Sequence, residues 1–236
     1  MMKILCISDT TDPLVYSPNI GERYADVDCV ISAGDLPLKY YEYILSSLNK
    51  PLFFVFGNHN LEHQHMFLPG NPYYGSVRGS FKDMATASEL PPFGGDFIDG
   101  KVMYSKRHGL LIAGLGGSMR YNAGGNQFTD GEMLWRIIRM APRLLWNKLR
   151  YGRYLDILVT HAPPLGINDD VDPCHTGFKA FLWFMDWFKP KYLLHGHVHM
   201  IDMNAQREIV YRDTTVINIY QNYILSDDEL GKHTNE

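Results

Sequence analysis

Along the chain, short and continuously apolar runs stop abruptly at glycine or polar residues. They lie at 3–8, 29–33, 52–56, 110–115, 157–160 and 192–194, with a later one at 215–220. Runs of this length without alternation read as strands buried on both faces. Helical periodicity occupies 40–48, 132–150 and 178–188 between them. Strand and helix therefore alternate, which predicts an α/β fold with a parallel or mixed sheet. Residues 69–107 break this rhythm, being poor in periodicity and rich in Gly, Pro and Ser. They are expected to form a long loop or insertion without its own core, of the kind that forms functional rims. No repeat or linker divides the chain, so a single domain over 1–225 is expected, followed by a polar tail at 226–236.

Composition narrows the function classes. The 236 residues are 45% hydrophobic and 20% charged, enough to fill a sizeable core. Lys and Arg number 22 against 26 acids, a formal net charge of -4, so bulk electrostatics gives no strong nucleic-acid signal. A phosphate-bearing ligand must be held by a local site. Cys6, Cys29 and Cys174 show no CxxC spacing, which suits a reducing compartment, and a cytoplasmic location is expected. Because the first apolar run reaches Asp9 early and no run approaches the ~18 residues of a membrane span, neither a signal peptide nor a membrane span is expected. Ten histidines remain to be placed.

The chemistry sits where the strands end. The first run ends in Ser8-Asp9-Thr10-Thr11-Asp12, the second in Gly34-Asp35 and the third in Gly57-Asn58-His59-Asn60. Two later runs end in Thr160-His161 and in His195-Gly196-His197-Val198-His199. Carboxyl ends of parallel strands share one edge, where ligands bind. Five strands are thus expected to deliver Asp9, Asp35, Asn58, His161, His197 and His199 to one place. Carboxylates, an amide oxygen and neutral imidazoles suit divalent Mn, Fe or Zn, and this many ligands can hold a pair of ions. Such a pair binds both oxygens of a phosphoryl group and activates water for in-line attack. Turn chemistry alone explains Asp, Asn and Gly after strands, but not three histidines.

The order and wording of these blocks resemble the calcineurin-like metallophosphoesterases, whose motifs read D-x-H, G-D, G-N-H-[DE], a lone His and G-H-x-H. The resemblance spans residues 9–199. It implies a two-sheet α/β/β/α sandwich with mixed sheets and helices outside. It also implies that Asp35 bridges two metals, with Asn58, His161 and His197 completing one site and Asp9 and His199 contributing to the other. His59 corresponds to the residue that contacts phosphate and assists the leaving oxygen. The chain departs from the pattern at Thr11, which stands where the family carries histidine, so the ion held by Asp9 and His199 is expected to bind weakly. Asp12 offers an alternative carboxylate from the same loop. Asn60 replaces the acid after His59, and Leu38 stands where the Ser/Thr protein phosphatases carry aspartate, which disfavours that branch.

Other polar features carry plainer readings. His59 and His63 have i,i+4 spacing but lack the glutamate of a zinc HExxH helix, so His63 and His65 are expected at the surface. His195 is read as structural, and Cys174-His175 as a surface turn. Arg120 is a candidate phosphate clamp, with a structural ion pair as the equal alternative. The helix from Glu132 is expected to bury Met133, Leu134, Ile137, Ile138, Ala141, Leu144 and Leu145, and to present Arg136, Arg139, Arg143 and Arg150 as a solvated stripe, with a grip on an anionic substrate, a lipid surface or a partner chain, beside Trp135 and Trp146, as the alternative.

The expected function is a metal-dependent phosphoesterase hydrolysing a phosphodiester or small phosphate ester through a metal-activated hydroxide. The alternative is a degenerate member that binds metal and phosphate with little turnover, as a sensor or scaffold. A nuclease ranks below both. Composition leaves the oligomeric state open.

Overall fold

Two sheets pack face to face with helices outside both, in a computed structural model that describes residues 2–68, 94–200, 202 and 206–226. The first sheet contains β1 (Lys3–Ser8), β2 (Cys29–Ser32), β3 (Leu52–Phe54) and β4 (Asp96–Phe97), joined by β13 (Gln221–Ser226) in the order β13-β1-β2-β3-β4. The second contains β5 (Val102–Ser105), β6 (Leu110–Leu115), β9 (Ile157–Thr160), β10 (Tyr192–His195), β11 (Glu208–Tyr211) and β12 (Thr214–Asn218), in the order β11-β12-β10-β9-β6-β5. A small pair, β7 (Ser118–Met119) and β8 (Gln127–Phe128), stands apart. β1, β2 and β3 are parallel to one another, as are β6, β9, β10 and β12, while β13, β5 and β11 add antiparallel edges.

Alternation along each strand splits the core into layers. Ile4, Cys6, Ile31 and Val55 meet Ile112, Ile157, Val159, Leu194 and Ile217 between the sheets. On the outside of the first sheet, Leu5, Ile7, Val30 and Phe54 pack under α2 (Leu38–Leu48) and the short α1 (Ile20–Arg23). On the outside of the second, Leu111, Leu158 and Leu193 pack under α3 (Asp130–Tyr151) and α4 (Lys179–Phe188). The α/β/β/α sandwich implied by the motifs is the observed fold.

Three expectations change. The stretch 69–107 holds two strands, β4 and β5, each closing one edge of a sheet; its residues 69–93, with Pro69-Gly70-Asn71-Pro72, lie outside the described residues, as does the tail beyond Ser226. Edge strands of two to four residues carry too few positions to show a period. In α3, Ile138 and Leu145 face outward, while Met133, Ile137, Met140 and Leu144 face the core. The arginine stripe is divided as well. Arg136 turns inward, donates to Asp99 Oδ1 and to the Gly116 carbonyl, and lies over the Phe128 ring.

The start of α3 is fixed by a capping box in which Thr129 accepts from the Glu132 amide and Glu132 accepts from the Thr129 amide. Asp130 Oδ1 also accepts from the Ala180 N–H at 2.9 Å, so the first turns of α3 and α4 are held together.

Candidate metal centre

The sequence-predicted residues meet at the seam between the sheets. Asp9, Asp35 and Asn58 follow β1, β2 and β3 of the first sheet, whereas His161, His197 and His199 follow β9 and β10 of the second. Asp9, Asp35 and His197 have φ of 64°, 57° and 68°. A left-handed turn directly after a buried strand swings each side chain off the strand line and into the seam. Neighbouring glycines make room. A Cβ on Gly57 would fall on Asp35 Oδ1 and the His161 ring, and one on Gly196 would fall on the Ser8 hydroxyl and Asp9 Oδ2.

Asp35, His161 and His197 are buried, and one donor atom from each lies within 4.8 Å of the others. His161 Nδ1–H donates to the Ala33 carbonyl at 2.8 Å, leaving Nε2 directed at Asn58 Oδ1 and Asp35 Oδ2, both 3.2 Å away. His197 Nε2–H donates to the Cys174 carbonyl at 2.6 Å, which leaves Nδ1 as its free electron pair. Outward nitrogens tied to carbonyls, with the other nitrogens turned into the seam, are the arrangement that orients metal-ligating histidines. Asn58 is oriented in turn, because its Nδ2 donates to the Tyr121 hydroxyl at 3.2 Å. Asp35 Oδ1 accepts from the His59 amide at 2.8 Å, and the Asp35 carbonyl accepts from Asn60.

The electrostatics fit a cation at this point. Burial works against a charged His161, but Asp35, by charge and hydrogen bond, outweighs it and with Asp9 raises the imidazole to about 9. Burial likewise pushes the Asp35 carboxyl up, and His161 more than reverses this, to about 2. A proton on Nε2 thus occupies the point where these acceptors converge, which is where a divalent ion would sit. Burial, followed by the charge on His161, lowers His197 to about 3, so its imidazole stays neutral.

The second half of the site is thinner. The Asp9 side chain is buried, and both its carboxylate oxygens accept from the His197 amide at 3.0 Å. His199 Nε2 lies 3.9 Å from Asp9 Oδ1, with its ring 4.9 Å from that of Tyr220 and its side chain 59% exposed. Thr11 is exposed. Asp12 does not take its place: its Oδ1 accepts from the Leu14 and Val15 amides and its Oδ2 from Asn222.

Arg120 is drawn into the alternative reading. Its Nη2 donates to both Glu132 carboxylate oxygens, at 2.8 and 3.1 Å, and to the Gln127 carbonyl, which anchors it at the start of α3. The segment with Cys174 and His175 is no plain surface turn: besides the Cys174 carbonyl, the His175 ring lies 5.2 Å from His197 and bonds Asp172. His195 is buried, donates from Nδ1 to the Gly196 carbonyl and is kept neutral, with burial lowering it to about 4. His59 and His65 are exposed, and His63 is half-buried. Tyr121, Tyr220 and Cys174 are the site residues that sequence reasoning missed.

A two-sheet α/β sandwich with this donor set at its seam is the metallophosphoesterase architecture. The sequence model of the calcineurin-like phosphoesterases matches residues 2–200, and the chain belongs to that family. A UPF0046 protein of Caenorhabditis elegans is 27% identical over 210 residues, covering 84% of this chain. The chain spans 63% of that relative's length. Among solved structures, one superposes with a TM-score of 0.58 at 14% identity, over 98% of this chain and 96% of its own. The crystal structure of TT1561 of Thermus thermophilus superposes with a TM-score of 0.55 at 13% identity, over 93% of this chain and 89% of its own. At such identities the likeness is one of fold.

Proposed function

We propose that this chain is a metal-dependent phosphoesterase acting on a phosphodiester or small phosphate ester. The observation that carries the reading is the buried Asp35–His161–His197 cluster, with both imidazoles held by backbone carbonyls so that a ring nitrogen is left for an ion. Asp35, Asn58, His161 and His197 would hold one divalent ion of the Mn, Fe or Zn class; Asp9 and His199 would contribute to a second. A divalent ion in this centre supplies the positive charge that attracts a phosphoryl group and acidifies water. The chain's own residues do the rest. Asp35 would tie the two halves, Tyr121 keeps the Asn58 amide oxygen inward, and the exposed His59 imidazole is placed to contact the phosphate and assist the departing oxygen.

Thr11 and the commitment of Asp12 to Leu14, Val15 and Asn222 favour unequal ions, one held firmly and one weakly. That inequality supports the second reading, a metal- and phosphate-binding member with little turnover. Metal analysis of the purified protein, followed by hydrolysis of a chromogenic phosphodiester after loading with Mn, separates the two. The phosphoesterase reading expects turnover that falls about a hundredfold or more in His59→Ala at unchanged metal content. Full metal occupancy without turnover on Mn, Fe or Zn would transfer the chain to the second reading.

A further inference from the structure

All four tryptophans of the chain lie on α3 and α4, and none is buried. On α3, Trp135, Ile138, Leu145, Trp146 and Leu149 are exposed, Leu149 at 83%. Their spacing places them on one stripe, and 3.6 residues per turn puts that stripe on the side of the helix opposite Met133, Ile137, Met140 and Leu144. α3 is therefore apolar on both sides, and the outer side has no cover among the described residues. Trp187 of α4 adds a further exposed ring, 49% accessible. Solvated helix faces are ordinarily polar, so a stripe of this kind marks a contact surface.

The charges beside the stripe name the occupant. Arg139, Arg143 and Arg150 flank it on one side and Lys148 on the other, and all are exposed. From Met133 to Tyr151 the helix carries no acidic residue, in a chain whose net charge is -4. A second copy is disfavoured, because facing stripes would bring cation against cation in either helix orientation with no acid to pair them. Aliphatic and indole side chains bordered by arginines match the boundary of an anionic bilayer, where tryptophan takes the apolar–polar transition and arginine the lipid phosphates. We propose that the outer face of α3, extended by Trp187, docks the protein on an anionic lipid surface without spanning it. No helix among the described residues is long and apolar enough to cross a membrane.

The test uses the full chain with vesicles of phosphatidylcholine alone and of equimolar phosphatidylcholine and phosphatidylglycerol. Because every tryptophan sits on these two helices, intrinsic fluorescence reports docking directly. Co-sedimentation with the anionic vesicles only, a blue-shifted emission, and loss of both at high salt are expected. Arg139→Gln with Arg143→Gln should weaken partitioning roughly thirtyfold, the factor carried by two surface cations, and Leu149→Glu should abolish it. Both variants should retain the wild-type melting temperature and metal content, since these side chains are exposed. Stripping the metal should leave vesicle binding intact, which keeps this result separate from the catalytic reading. Absence of binding, equal binding to neutral vesicles, or a concentration-dependent dimer that quenches these tryptophans without lipid would overturn the proposal.

Discussion

Asp9, Asp35 and His197 each adopt a backbone conformation that costs a non-glycine residue on the order of 1–3 kcal/mol. The glycines around them leave no room for a methyl group, so Gly57→Ala and Gly196→Ala are expected to abolish metal binding while circular dichroism stays close to wild type. Normal metal content in both variants would contradict the packing described. The proton on His161 yields a pH dependence. Its charged form adds stability that is full below 6.5 and lost as pH rises through about 9, whereas Asp35 adds stability present above 3.8 and lost as pH falls through about 2. An incoming ion must displace the His161 proton, so metal affinity should rise about tenfold per pH unit up to about 9. Competition titration with a chelator at several pH values measures that slope, and a flat profile would place the ion elsewhere. At this scale the strand-end motifs were legible because each ligand is a side chain of diagnostic type. The Cys174 carbonyl was not, since a backbone acceptor has no residue-type signature, and neither was Tyr121, whose hydroxyl reaches Asn58 from 63 positions away.

Among the elements, α3 is the one whose sequence pattern misled. Apolar residues occur on both its sides, so periodicity alone located the helix without saying which side was the core; Met140 went to the core and Ile138 to solvent. Packing against the second sheet decided it. The helix is pinned by Arg136, whose ion pair with Asp99 is mostly buried at 18% and 15% side-chain exposure. Asp99 also accepts from the Gly116 amide. Removing one partner of a buried pair strands the other, so Asp99→Ala should destabilise the fold by about 3 kcal/mol in urea titration. Thr129→Ala removes the cap alone and should cost about 1 kcal/mol. Equal effects for the two would mean that Arg136 finds water when its partner is lost.

For the molecule as a whole, an ion at the seam would add a further tie between two sheets already joined by side-chain packing and by the hydrogen bonds of His161 to Ala33 and of His197 to Asp9. Ligand linkage then sets the gain: at a thousandfold excess over its dissociation constant, the metal should add about 4 kcal/mol to unfolding. Thermal denaturation with and without chelator reads this, and an unmoved midpoint would mean that the ion does not bind the folded state preferentially. The sandwich was legible from its buried central strands and the order of the motifs. β4, β5, β11 and β13 were not, because their half-exposed, short or alternating sequences acquire strand character only from a neighbour already in place.

One of these neighbours is far away in the chain. β1, which leads into Asp9, is covered on its outer side by β13, paired from Lys3↔Ser226 to Ser8↔Gln221. On the ribosome β1 emerges long before the strand that covers it. Until residues 221–226 have emerged, β1 therefore presents an edge of unpaired backbone groups, and a chain halted before residue 221 would retain it. Truncated products of this gene should accordingly be held by chaperones or aggregate, even with most of the metal-binding motifs already made.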